Sequence, residues 1–232
     1  MNSKHALSIL SLIILPFSYA NAGLLGPTAY LSAADSPFAG GSFSYFYLEN
    51  FEDHLLNVPG VTASAGGVTS VIFGPAIHDS VDVDDGAIDD SELKGDSYFS
   101  GNGAAGIKFT FDAGILGSLP TKAGIVWTDG FGTTTFEAFD QNGISLCTIG
   151  PVAIADGSFN GETAEDRFFG VTNAGGISAI FISNTAGGIE VDHLQYGLAI
   201  ANSVPEPSTY GMLLAGIGIF GWATRRKAQK HV

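Results

Sequence analysis

The 232-residue sequence is poor in cysteine and in positive charge. Its only cysteine, Cys147 in "GISLCTIG", excludes an internal disulfide, so the fold must be held by burial. Against 23 Asp+Glu stand 9 Lys+Arg, and Lys4, Arg225, Arg226, Lys227 and Lys230 crowd the two ends. Between residues 23 and 203 only Lys94, Lys108, Lys122 and Arg167 remain, facing every acid but Glu206, a net charge of 4 − 22 = −18. With no basic stripe to neutralise phosphates, nucleic-acid binding is excluded, and cations are the favoured small partners. Catalytic signatures are missing too: there is no G-x-S-x-G elbow, no H-E-x-x-H helix and no G-x-x-x-x-G-K loop. His54, His78 and His193 stand isolated from one another, as surface or satisfied strand histidines do.

Glycine is abundant, with 32 residues. It separates short runs of β-branched and aromatic residues: "SFSYFYL", "VTSVIFG", "GIKFTF", "AGIVWTD", "TTTFEAF", "ISLCTI", "DRFFGVT", "GISAIFIS" and "IEVDHLQYGLAI". The stretches "NVPG", "SGNG", "LGSLP", "TDGFG", "DQNG", "ADGS" and "NTAGG" between them read as turns. Many short strands at this spacing predict an all-β body, a single jelly-roll-like β-sandwich over residues 23–203. Alternation in "GIKFTF" puts Ile107, Phe109 and Phe111 on one face. In "IEVDHLQY" strict alternation groups Glu190, Asp192, Leu194 and Tyr196 against Ile189, Val191, His193 and Gln195.

Both ends stand apart from this body. Residues 1–22 have the grammar of a signal peptide: Lys4, an apolar run from Ala6 to Phe17, and a small-x-small site at Ala20 and Ala22. They imply signal peptidase, the Sec machinery and export. Residues 204–232 begin with Val204, Pro205, Glu206 and Pro207, continue as a hydrophobic helix over about 208–224, and end in a basic segment at 225–230. Arg225, Arg226 and Lys227 lie where the positive-inside rule holds a helix end in the cytoplasm. The apolar run, Tyr210 to Ala223, is shorter than the about 20 residues a spanning helix usually needs.

The candidate binding residues are acidic or aromatic. "DSVDVDDGAIDDSELKGD" suggests Ca2+, since hard cations take several carboxylate oxygens. Its Gly86 does not fit an EF-hand, because Val81 and Val83 would fall on the first two ligand positions. A looser site would use Asp82, Asp84, Asp85 and Asp89, and the alternative is a hydrated acidic loop. Glu52 or Asp53 near the start can meet Asp192 near the end if first and last strands are neighbours, tying both ends through a metal. Trp127 beside Asp129 offers either a stacking platform for a sugar or a core side chain. Arg167, preceded by Glu165 and Asp166, offers a local ion pair or a grip on a ligand.

Val204-Pro205-Glu206-Pro207, a glycine-bearing hydrophobic stretch and a basic end, in that order, resemble the PEP-CTERM sorting tail of Gram-negative bacteria. The resemblance covers Val204 to about Lys230. It implies an exosortase as partner, a membrane-held intermediate, and delivery to the cell surface or an exopolysaccharide matrix, as in a biofilm. It makes the chain a substrate of that reaction and not an enzyme. "LPTKAGIVWTDG", "TAEDRFFGV" and "GGIEVDHLQYG" also resemble PEP-CTERM ectodomains, and the last strand is similar to that of lectin-like jelly rolls. Those likenesses imply a β-sandwich with sugar or calcium binding. The expectation is an exported non-catalytic surface or matrix protein; the alternatives are a calcium-dependent carbohydrate-binding module and, behind it, a secreted glycoside hydrolase.

Overall fold

The computed structural model describes residues 22–74, 78–82, 95–158, 165–200 and 211–220. The chain divides into two compact units, Met1–Ala199 and Ile200–Val232.

The first unit is all-β, as expected. Among the described residues one antiparallel sheet contains β1 (Gly23–Ala29), β2 (Phe43–Glu49), β3 (Val61–Ala63), β4 (Gly67–Val68), β5 (Tyr98–Ser100), β6 (Ile107–Phe111), β7 (Lys122–Asp140), β8 (Ser145–Val152), β9 (Arg167–Thr172) and β10 (Ile177–Ala199). Two strands form its spine. β7 has 19 residues and β10 has 23, far beyond the usual 5–6. They pair from Ile177↔Asp140 to Gly197↔Lys122. The early part of β10 is flanked by β6, and the late part of β7 by β8. At the opposite end β2 flanks β10, and β9 followed by β1 flanks β7. The sheet is thus continuous through the spine, whereas a jelly-roll sandwich has two separate stacks.

The length of the spine corrects two expected turns. "TDGFG" lies inside β7 and "NTAGG" inside β10, and the two face each other: Ala186 pairs with Phe131, and Ile189 with Gly130. The register shifts twice there, between Asn184 and Ala186 and between Ala186 and Ile189. Gly130, Gly132 and Gly187 have φ of 159°, 82° and 64°. Glycine reaches these angles without a Cβ clash, so both strands bulge and bend where a turn would have ended them.

The bent sheet encloses one main core. Ile107, Phe109 and Phe111 of β6 point into it, with Lys108 and Thr110 outward, as alternation requires. Trp127, Phe136, Phe169, Ile180, Ile182 and Val191 join them from the spine and β9. The opposite face of β7 and β9 carries a smaller cluster of Tyr30, Phe38, Val81, Val126 and Phe168.

"VTSVIFG" reads as a strand, but only Gly67–Val68 is one; Thr69–Phe73 forms a short helix, α1. Its N-cap Val68 has no capping side chain. Asp96 caps it from outside, accepting the Ser70 N–H at 2.8 Å, which satisfies a donor that a helix start leaves bare.

In the second unit residues 211–220 are helical. Met212, Leu213, Leu214, Ile217, Ile219 and Phe220 are all exposed. Among the described residues no helix is long and apolar enough to cross a membrane. The described part of the helix expected over 208–224 rises only about 15 Å, against a hydrocarbon core of about 30 Å.

Candidate functional site

The last strand departs from strict alternation at one residue. His193 has φ 43°, and the pairing of β10 with β7 shifts between Asp192 and Gln195. Residues beyond this bulge change phase. Ile189 and Val191 before it, and Leu194 and Tyr196 after it, all enter the main core. The expected grouping of Glu190 and Asp192 with Leu194 and Tyr196 is therefore corrected. Glu190, Asp192, His193 and Gln195 instead form a polar strip, with exposures of 8%, 0%, 1% and 0%.

Each member of the strip meets a polar partner. Gln195 Nε2 donates to the Tyr30 hydroxyl at 2.8 Å, and Ser36 Oγ donates to Gln195 Oε1. His193 Nδ1 is 3.1 Å from the same Tyr30 hydroxyl. His193 Nε2 lies 3.2 Å from Asp82 Oδ1, an ion pair whose angle falls short of a well-formed hydrogen bond. Asp192 Oδ2 accepts the Val81 N–H at 3.0 Å and the Ser80 hydroxyl at 3.3 Å. Ser80 Oγ is also 3.2 Å from Glu52 Oε1, and Glu52 Oε1 accepts the Asp96 N–H at 2.8 Å. Glu52 and Asp192 thus meet through Ser80, because the loop after β2 lies beside β10, its pairing partner. Asp53 does not join them. It is exposed and accepts from Leu55 N–H and from Asn57.

Charge is unevenly balanced here. Glu49, Asp79, Asp96, Glu165, Asp166, Glu190 and Asp192 are buried, and among the described residues His193 is the one buried basic side chain. Burial pushes Asp192 up to about 7, though the adjacent His193 charge opposes it. Burial also raises Glu52, with Asp82 and Asp96 adding to the effect. For His193 burial disfavours the charged ring, but Asp82, Asp192 and Glu52 outweigh it and raise its pKa. Asp82 is lowered, first by its contact with His193.

Ser70, His54 and Asp96 also converge. Ser70 Oγ lies 3.1 Å from His54 Nδ1, and Asp96 Oδ2 approaches that same nitrogen. A nucleophilic relay needs serine and aspartate on opposite ring nitrogens. Here Asp96 caps α1, and the Ser70 hydroxyl and His54 both bind its Oδ2.

A pocket opens where the two glycine bulges face each other. Its volume is about 160 Å³, and Phe99, Asp129, Gly130, Phe131, Gly188 and Glu190 line it. Asp129 and Phe99 are both register partners of Glu190, on β7 and β5. Partners in register point to one face, so the three side chains stand in a row. Burial pushes Asp129 up to about 6 and Glu190 up to about 8, and each of the two carboxyls is close enough to Asp129 or Asp156 to feel its charge. Sequence reasoning missed Glu190, Phe99 and Phe131. The signal available was the glycine content of the two supposed turns.

Other candidates fall elsewhere. Trp127 is fully buried, and its Nε1–H donates to Asn184 Oδ1 at 3.0 Å, so no sugar can stack on it. Arg167 Nη1 donates to the Asp166 carbonyl at 2.8 Å. Among the described residues no three His, Cys, Asp or Glu side chains are arranged to hold a metal ion. Asp84, Asp85 and Asp89 lie outside the described residues, as do Ala20, Val204, Pro205, Glu206, Pro207, Arg225, Arg226 and Lys227. Ala22 precedes β1 and packs against the main core.

Residues 203–227 match the family model described as the PEP-CTERM protein-sorting motif. The chain carries a PEP-CTERM sorting tail. Val204–Pro207 and Arg225–Lys227 both fall within the match. A PEP-CTERM motif implies processing by an exosortase and an exported, surface or extracellular destination. No curated protein matches the chain. Among solved structures, the enzymatically active domain of tailspike protein 4 of bacteriophage CBA120 aligns with 75% of this chain and 22% of its own, at 17% identity and a TM-score of 0.26. The chain thus spans about a fifth of that protein, and the PEP-CTERM match stops short of the β unit.

Proposed function

We propose that the chain is an exported, non-catalytic β protein of the cell surface or exopolysaccharide matrix of a Gram-negative bacterium. The carrying observation is the PEP-CTERM match at residues 203–227, lying in a compact unit of its own beyond the β body. The signal-peptide-like residues 1–22 take the chain into the Sec pathway and signal peptidase removes them. The tail then holds it at the inner membrane until an exosortase acts at Val204–Pro207. Support for membrane contact comes from helix 211–220, whose exposed side chains are apolar and which contains no charged residue. Support for a non-catalytic body comes from His54, whose two partners crowd one nitrogen.

Replacing Pro205, Glu206 and Pro207 by alanine tests this reading. Immunoblots of cell fractions are expected to show loss of processing and retention in the inner membrane. Unchanged size and unchanged location would end it.

A second reading, a calcium-dependent carbohydrate-binding module, draws support from the excess of buried carboxyls, seven among the described residues against one buried histidine. Divalent cations are the natural counter-charge for such an excess.

A further inference from the structure

The pocket between the two spine bulges combines features that neither core has. Its floor is glycine, its walls are phenyl rings, and its polar groups are two carboxyls. The rings need the glycines. A Cβ on Gly188 would lie 2.5 Å from the Phe99 ring, and one on Gly187 would lie 2.6 Å from the Phe131 ring. The carboxyls are adjacent. Asp129 and Glu190 are direct cross-strand partners, a position where like charges repel. Glu190 is only 8% exposed, and its Oε1 takes the Ser97 hydroxyl. Asp129 Oδ1 takes the Gly130 N–H at 2.5 Å.

We propose that this pocket binds an aliphatic ammonium group, with the nitrogen between Asp129 and Glu190 and the alkyl stem against Phe99 and Phe131. A cation there offsets the crowding of two carboxyls in one cross-strand pair. Phenyl faces attract ammonium groups as well as alkyl stems. A metal ion fits less well. Calcium takes six to eight oxygens, and no third carboxylate, histidine or cysteine completes a metal set among the described residues. A whole sugar ring fits less well too, because ligand pockets for larger molecules have about 300–1,000 Å³ and this one has about 160 Å³. The occupant is therefore the head of a flexible amine, either a free aliphatic amine or a lysine side chain.

Calorimetric titration of the purified full-length protein with n-butylammonium, N-acetyl-lysine methylamide, n-butanol, glucosamine and calcium tests the assignment. n-Butylammonium is expected to bind with Kd of about 1 mM, and isosteric n-butanol at least about tenfold more weakly. Binding should release protons at pH 7, because Glu190, pushed up to about 8 by burial, holds a proton there that the cation displaces. Glu190→Gln and Asp129→Asn should each weaken binding about tenfold while leaving the protein folded, since each keeps the side chain's size and removes a carboxyl that burial penalises. Phe131→Ala, at a ring already 37% exposed, should weaken it about fivefold. N-acetyl-lysine methylamide binding at least as tightly as n-butylammonium would identify a lysine side chain as occupant; weaker binding would identify a free amine. Equal binding of n-butanol, tighter binding of glucosamine, or calcium binding that Glu190→Gln abolishes and Phe131→Ala leaves intact would each overturn the assignment, as would no saturable binding of either amine.

Discussion

The two faces of the spine are built from the same strands and solve different problems. On one face β7, β9 and β10 contribute Ile125, Trp127, Phe169, Val171, Val191 and Leu194 to an apolar core. On the other, Val126 and Phe168 join Tyr30, Phe38 and Val81, with Leu25 and Phe43 packed against them, and Glu190, Asp192, His193 and Gln195 are buried beside them. Both faces are buried. The first follows from the hydrophobic effect and tolerates any residue of suitable volume. The second has to match each carboxyl and amide with a donor, a requirement that burial makes severe. Stability therefore resides mainly on the first face, and chemical specificity on the second.

The largest expected effect comes from damaging the apolar face. Trp127→Ala removes a fully buried indole and leaves Asn184 Oδ1 with only the Thr134 hydroxyl. Denaturant unfolding should show a loss of about 3–5 kcal/mol. A loss near that of a surface substitution would mean that the two faces do not divide the work as described. On the polar face the matching single change is smaller. Tyr30→Phe keeps the ring stacked beside Phe168 and deletes the hydroxyl that meets Gln195 and His193. The expected cost is about 1–3 kcal/mol, that of leaving a buried donor without its acceptor. A neutral outcome would show that water takes the place of the hydroxyl.

The two faces were not equally legible in the sequence. Alternation in "GIKFTF" gives the apolar face directly, since every second residue is large and buried. The all-β class follows from the same pattern repeated along the chain. Alternation fails at His193, where one inserted residue moves Leu194 and Tyr196 to the core face. A bulge has no compositional mark, so "IEVDHLQY" looks regular until its pairing is known. The glycine stretches fail for a related reason. "TDGFG" and "NTAGG" carry the chemistry of turns, but each is flanked by strand that stays paired to the same neighbour on both sides. Local propensity cannot distinguish a reversal from a bulge, because both need φ > 0. Glu52 reaches Asp192 only through Ser80, and by the pairing of β2 with β10 where neighbouring first and last strands were expected; the Glu190–Asp129 pair likewise depends on long-range register. The sorting tail was legible because its recognition depends on a short linear order of residues.

The smallest expected effect is a dependence on pH, and it separates the faces without any mutation. The titratable groups of the apolar face, Tyr98 and Tyr196, are raised by burial and stay neutral between pH 5 and pH 8. The other side of the spine has His193 with a raised pKa, Asp192 at about 7, and Glu190 at about 8; Asp129 at about 6 and Glu165 at about 8 lie beside them. A raised carboxyl holds a proton in the folded state that the unfolded chain has already released, and a raised histidine does the same at higher pH. The folded protein therefore binds more protons than the unfolded one between pH 5 and pH 8, so stability falls as pH rises through that window. Asp82 and Asp96 have lowered values. Their contribution is present above the ordinary carboxylate range and is lost only as pH falls below it, so they are constant across the window and limit stability on the acid side. One extra proton held over one pH unit corresponds to about 1.4 kcal/mol, and a melting temperature about 3–6 °C lower at pH 8 than at pH 5 is the expected minimum. Thermal melts in low salt across this range read the effect directly. A curve that is flat or rises toward pH 8 would show that the buried carboxyls are already neutralised by a bound cation, and the two faces would then differ in ligand content as well as in side-chain chemistry.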